Sequence, residues 1–165
     1  MGRRPVGAGG GGSILSKKKA KSCLIINYLL LIIMPSYNHF YDLPVYKICR
    51  AFRKKVSSIV TKHFPKSEDY LLKAQTLDAS RSITANIAEG FGRFHYQENI
   101  QFSRQSRGSL DETFEHMITA YDEKYIPKNI LTDINKDYKE CLKQLNGYIK
   151  YLKTAKQETK IINNK

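Results

Sequence analysis

One apolar rhythm constrains this chain more than anything else in it. Between Asn129 and Lys156, the residues Leu131, Ile134, Tyr138, Cys141, Leu145, Tyr148 and Leu152 recur in alternating three- and four-residue steps. An α-helix places such a set on one face, and a heptad seam of this kind is how helical bundles pack. A strand needs alternation with period two, and no segment of the chain keeps that for long.

Three more segments carry the helical period. From Leu43 to His63 the apolar face is Val45, Ile48, Phe52, Val56, Ile59 and Val60. "DLP" before it suggests a start, with Asp42 as cap and Pro44 in the first turn. Pro65 stops that helix, and Ser67, Glu68 and Asp69 are expected to begin the next. The second helix is expected from Glu68 to Gly90, with Leu72, Thr76, Ala79, Ile83, Ile87 and Gly90 inward. Leu77, Thr84 and Ala88 on another side imply burial on more than one face. The third is expected from Gln97 to Glu123, with Phe102, Ser106, Leu110, Thr113, Phe114, Met117 and Tyr121 inward. Short connections favour antiparallel neighbours, so the expected fold is all-α, an up-down-up-down four-helix bundle.

The bundle domain is expected over residues 39–157, followed by a frayed tail at 158–165. Residues 1–38 are a different kind of sequence. "GAGGGGS" is low-complexity, and "KKKAK" precedes the apolar run Cys23–Met34. That run is shorter than the ~20 residues a membrane span needs, and no small-x-small cleavage pattern follows it. An anchor, a short extra helix, and a disordered or non-native extension with Met34 as the natural start all compete. The last is preferred, which makes a membrane partner the weakest expectation.

Chemistry is sparse. The three cysteines, Cys23, Cys49 and Cys141, have no CxxC or Cys/His spacing, so no disulfide framework or zinc site is supported. Cys49 and Cys141 fall on apolar positions, which suits a reducing, cytoplasmic setting. A di-metal carboxylate bundle needs paired Glu/His motifs on two helices, whereas Glu112 and His116 have no second pair. "GFGR" is not a GxGxxG loop, and no strand precedes it. Ser82, Ser106 and Ser109 have no histidine in an interpretable pattern. The expectation is a non-enzyme with no catalytic residue, no metal and no cofactor.

Charge is the stronger signal. The net charge is +13, and residues 1–40 hold six basic residues and no acid. The remainder therefore carries 22 basic against 15 acidic residues, a balance that favours polyanions. Lys47, Arg50, Arg53 and Lys54 form an expected solvent-facing strip on the first helix. Arg81, Arg93, Arg104 and Arg107 gather around the second and third, and Lys143 is among five lysines on the fourth. Lys47, Arg50, Arg53, Lys54, Arg104 and Lys143 are the expected phosphate contacts for RNA or DNA. An ordinary solvated helix face accounts for the same residues, so a structural or protein-interaction oligomer stands as the alternative. With no aromatic stacking platform, base-specific reading is not expected.

The stretch "SITANIAEGFGR" sets Ser82, Asn86, Glu89 and Arg93 along one helix edge, with Ser109 and Glu112 on a matching edge of the next. A buried Glu89 would need a partner, and Arg93 or Arg107 can supply one. The expectation is a helix-end polar network, buried at Glu89, that fixes register.

Several spaced motifs carry a resemblance. They are Phe64, Pro65, Glu68, Tyr70, Leu72 and Gln75, then Ser82, Ile83, Asn86, Ile87, Ala88, Glu89, Gly90, Gly92 and Arg93, then Phe102 and Arg107, Gly108, Ser109, Leu110 and Glu112. From Tyr41 to Lys156 the chain resembles the 23S rRNA intervening-sequence protein family, bundle proteins encoded within bacterial large-subunit ribosomal RNA genes. More distantly it is similar to the accessory bundle proteins of diversity-generating retroelements, which bind nucleic acid and a reverse transcriptase. The resemblance implies a homopentamer of four-helix bundles, with self, RNA or DNA, and a further protein as partners. It departs at His95, where the family usually places a Ser or Thr cap, and at Ser106, where alanine is usual.

Overall fold

The structure, a computed structural model, describes residues 37–93 and 95–163. The N-terminal expectations, including the apolar run Cys23–Met34, lie outside the described residues. The described residues belong to the unit Tyr37–Lys165 and contain four α-helices and no strand. These are α1 (Pro44–His63), α2 (Leu72–Gly92), α3 (Tyr96–Asp122) and α4 (Lys128–Asn163). Short 3₁₀ turns stand at Phe40–Asp42 and Lys66–Glu68.

Three boundaries differ from expectation. Asp42 does not cap α1, because it sits inside the first 3₁₀ turn. Leu43 takes the cap position instead, in the extended conformation that a following proline favours, and its side chain is buried. Glu68 does not start α2. It closes the second turn, and its Oε2 accepts the Leu72 N–H at 3.1 Å, so the carboxylate caps the helix from outside. Glu68 Oε1 also accepts the Tyr125 hydroxyl at 3.2 Å, which ties this corner to the α3–α4 connection. Finally, α4 continues beyond Lys156 to Asn163, and residues 158–163 are helical. No Gly or Pro interrupts that stretch, Ala155 is buried, and Lys156 Nζ reaches Gln97 Oε1 on α3.

The connection from α3 to α4 turns on Lys124, which has φ 63°. Tyr125 N–H returns to Ala120 O at 2.8 Å and Lys124 N–H to Tyr121 O at 3.0 Å, the bonding of a Schellman end. Ile126 is then buried beneath the turn.

Each helix packs against two neighbours: α2 on α1 and α3, and α4 on α3 and α1. Helices α1 and α3 make no close backbone approach and stand diagonally. Contacts between α2 and α3 run in opposite chain directions. Ile83 meets Ser106, while Gly90 lies against Asn99 and Phe102. The same is true of α3 and α4, where Asn99 bonds Tyr148 and Asp111 bonds Tyr138.

The main core joins all four helices through Val45, Phe52, Val56, Ile83, Ile87, Leu110, Met117, Ile134 and Leu145. Burying a Leu or Phe side chain contributes about 1.5–3 kcal/mol, so this cluster dominates stability. Cys49 on α1 and Cys141 on α4 meet within it. The hydrogen bond to Cys141, and then burial, push the Cys49 thiol far up, and both cysteines are fully buried core residues. A smaller cluster of Ile100, Ile149 and Leu152 holds the other end of α3 and α4.

Candidate functional site

The apolar face of α1 fixes where its cations point. With Val45, Cys49, Phe52, Val56 and Val60 inward, the 3.6-residue period turns Lys47, Arg50 and Lys54 outward, and all three are exposed. Among the described residues no carboxylate pairs with them. Arg53 departs from the expected strip. It is half-buried and turns toward α2, where its Nη1 donates to Thr84 Oγ1 at 2.8 Å. Lys55, on the opposite flank, binds Asp133 and Asp137 of α4, each at 2.6 Å. Partial desolvation pulls the Lys55 pKa down, but the two carboxylates together outweigh it, so it lies above the ordinary lysine value. Asp133 is correspondingly held below the usual carboxylate range, by its hydrogen bond to Lys55 and then by that charge. One flank of α1 is thus neutralised and the other is not.

The unneutralised flank borders an open groove of about 880 Å³ between α1 and α2. Arg53, Lys54, Lys62 and Arg81 line it, with the hydroxyl residues Ser57, Ser58, Thr61 and Ser80 between them. Leu77 is its one apolar wall. Thr84, 2% exposed, sends its own proton to Arg81 O at 3.1 Å and so only accepts from Arg53. That leaves most of the five guanidinium donors of Arg53 available. Arg81 is exposed and pairs loosely with Asp78 at 3.1 Å.

The remaining expected contacts are dispersed. Arg104 is exposed on α3, and Lys143 is exposed on α4 beside Glu140 at 3.9 Å. Arg93 pairs with Glu89 and lies 5.0 Å over the Phe102 ring. Arg107 donates to Asn146 Oδ1 at 3.1 Å. Three of the four arginines around α2 and α3 are therefore locally partnered, and the expected cluster there is not one patch.

The "SITANIAEG" stretch is a packing seam. Gly90 is buried, and a Cβ built on it would stand 2.9 Å from both Asn99 Oδ1 and Phe102 Cβ, and 3.3 Å from Asn99 O. Only glycine permits that helix approach. Ser106 Oγ donates to Ile83 O at 2.7 Å across the seam. Ser82 Oγ accepts from Ser109 Oγ at 3.0 Å and from Asn86 Nδ2 at 3.1 Å. The expected buried carboxylate is not there: Glu89 is exposed, because its position on α2 falls outside the angle that α3 covers. It bonds Arg93 rather than Arg107. Glu112 is exposed with no hydrogen-bond partner among the described residues, and a Cβ at Gly108 or Gly92 would meet nothing.

Sequence reasoning did not find the groove. In the sequence, Lys62, Ser57, Ser58 and Thr61 each look like an ordinary exposed helix residue. The hydroxyl-rich run "VSSIVTK" does not by itself distinguish a groove wall from a solvated helix face. Among the described residues no three His, Cys, Asp or Glu side chains gather as a metal site requires, and no helix is long and apolar enough to cross a membrane.

Comparison with known proteins bears on the fold and its lineage. Residues 41–147 match the family described as 23S rRNA-intervening sequence protein. A crystal structure of a protein of unknown function, from the S23 ribosomal protein family of Bacteroides thetaiotaomicron, is similar with a TM-score of 0.59. Its sequence identity is 22%, and the match covers 64% of this chain and 98% of that one. No curated protein matches the chain.

Proposed function

This chain belongs to the 23S rRNA-intervening sequence protein family, and from that premise we propose that it is a non-catalytic, nucleic-acid-associated oligomer. Its unit is an up-down-up-down four-helix bundle, assembled as a homopentamer in the cytoplasm. The uncompensated cations on the outer flank of α1 carry the reading: Lys47, Arg50 and Lys54 face water with no carboxylate paired to them among the described residues. Charges so placed release counterions when they meet phosphates, which gives salt-dependent affinity without base reading. Arg104 and Lys143 would extend the contact onto α3 and α4, and a protein partner would share the assembly.

The test is a salt titration of binding to RNA and DNA. The triple variant Lys47→Glu/Arg50→Glu/Lys54→Glu is expected to lose binding while keeping its helical content, because all three side chains are exposed. Unchanged binding, or no binding by the parent chain at low salt, overturns the reading.

A second reading, a structural or protein-interaction oligomer, draws on exposed apolar residues between α1 and α2. Tyr70 is 94% exposed and Leu71 58%. It predicts the same assembly by light scattering with no affinity for polyanions.

A further inference from the structure

We propose that the groove between α1 and α2 is a phosphate site, shaped for the sugar–phosphate backbone of a single-stranded nucleic acid rather than for a duplex. The proposal rests on the nucleic-acid reading above and names the part of the surface that grips.

Four observations lead to it. The groove collects four cations, Arg53, Lys54, Lys62 and Arg81, and Asp78 beside Arg81 is the only carboxylate paired with any of them among the described residues. Their charge is therefore largely unspent. Arg53 is held in place from behind by the buried Thr84, so its remaining N–H groups face the groove at little entropic cost. Hydroxyls of Ser58 and Thr61 stand between the cations and can donate to phosphate oxygens, a common mode of backbone contact. Thr61 now donates to Ser57 O at 2.9 Å, an exposed bond that a phosphate oxygen can replace.

Shape selects the strand. The groove is open along the α1–α2 seam, so a flexible single strand can bend to lay consecutive phosphates on its cations, whereas a duplex presents phosphates at a fixed spacing. No aromatic side chain lines it, so affinity rests on phosphate contacts and not on base stacking. The outward cations Lys47 and Arg50 lead into it along α1. The track from Lys47 to Lys62 is about 22 Å long at 1.5 Å per residue, enough for several phosphates in a row. Each phosphate gripped on a single strand contributes about 0.7 to the slope of log affinity against log salt.

The experiment uses the full chain and fluorescence anisotropy. The probes are a labelled oligouridylate and a labelled duplex of equal length, with a nucleoside triphosphate and inorganic tripolyphosphate as competitors. The groove variant is Lys62→Glu/Arg81→Glu, with Lys62→Gln/Arg81→Gln as a milder form should the first lose helical content. The strip variant is Lys47→Glu/Arg50→Glu. The groove variant is expected to weaken oligouridylate binding at least about tenfold and lower the salt slope by about 1.4, two single-strand phosphate contacts. The parent chain is expected to prefer the single strand. If the strip variant fails while both groove variants bind as tightly as the parent, the nucleic-acid reading survives and the groove assignment is overturned. Equal or tighter duplex binding overturns the single-strand claim. Competition by the triphosphate or tripolyphosphate at concentrations below the oligonucleotide's own Kd overturns a polymer ligand in favour of a free one. Parental affinity in all variants overturns both proposals.

Discussion

The α1–α4 and α2–α3 seams solve the same packing problem with opposite materials. Across α1–α4 the contact is made of volume: Val45, Phe52, Val56, Ile134 and Leu145 share the core, with Cys49 against Cys141 inside and Lys55 clasping Asp133 and Asp137 at the rim. Across α2–α3 the side chains at the line of contact are small and polar. Gly90 lies under Asn99 and Phe102, Ser106 bonds the Ile83 carbonyl, and Ser109 bonds Ser82. Among the described helices the α2–α3 pair also makes the most extensive close backbone approach. Burial of large apolar groups is strong but non-directional. Short hydrogen bonds and a glycine contact are weaker but hold at one register. One seam supplies stability and the other supplies alignment.

Four substitutions and a pH titration test that contrast, the largest expected effect first, each read as a shift in urea unfolding at constant slope. Leu145→Ala, at a fully buried position, is expected to cost about 2–5 kcal/mol. Gly90→Ala should cost about 1–3 kcal/mol, since the new methyl overpacks against Phe102 Cβ and Asn99 even though alanine favours helix. A neutral or stabilised Gly90→Ala protein would show that the α2–α3 approach is not tight. Ser106→Ala removes one buried cross-seam hydrogen bond and is expected to cost about 1 kcal/mol.

Gly108→Ala is the counterpart of Gly90→Ala. A Cβ there meets nothing, so the change should stabilise the chain by about 0.5–1 kcal/mol. If light scattering shows that this variant instead disturbs assembly, the open face of α3 belongs to a subunit contact. The smallest effect belongs to the rim of the other seam. Asp133 has a depressed pKa, so its pairing with Lys55 stabilises the fold above the ordinary carboxylate value. That contribution is lost as the pH falls through the lower folded-state value. An acid titration of Lys55→Met beside the parent chain should show a slightly smaller loss in the variant. Indistinguishable profiles would make the clasp energetically silent, as many exposed pairs are.

The functional surface repeats the lesson on α1. Its two flanks carry similar cations, and only the neighbouring helix decides their fate. Lys55 meets the acidic edge of α4 and is neutralised, whereas Lys54 and Lys62 border Leu77, Ser80 and Arg81 of α2, pair with no carboxylate among the described residues, and keep their charge.

Apolar spacing was enough to mark the four helices and their inward faces, and the spaced motifs were enough to mark the family. A period of 3.6 is a local property, and Ile83, Ile87, Leu110, Met117, Ile134, Cys141 and Leu145 all lie where it puts them. It also set Gly90 on the inward face of its helix. Tertiary structure decided the rest. Whether a polar residue at a helix edge is covered depends on the angle at which the next helix arrives, so Glu89 is exposed while Thr84, on a neighbouring edge, is 2% exposed and anchors Arg53. Helix ends also involve partners outside the segment: the Glu68 carboxylate that caps Leu72 also takes the Tyr125 hydroxyl, and Gln97 of α3 bonds Lys156 near the end of α4. The groove belongs to neither α1 nor α2 alone. It arises from two unremarkable helix faces set side by side, which no pattern along one segment records.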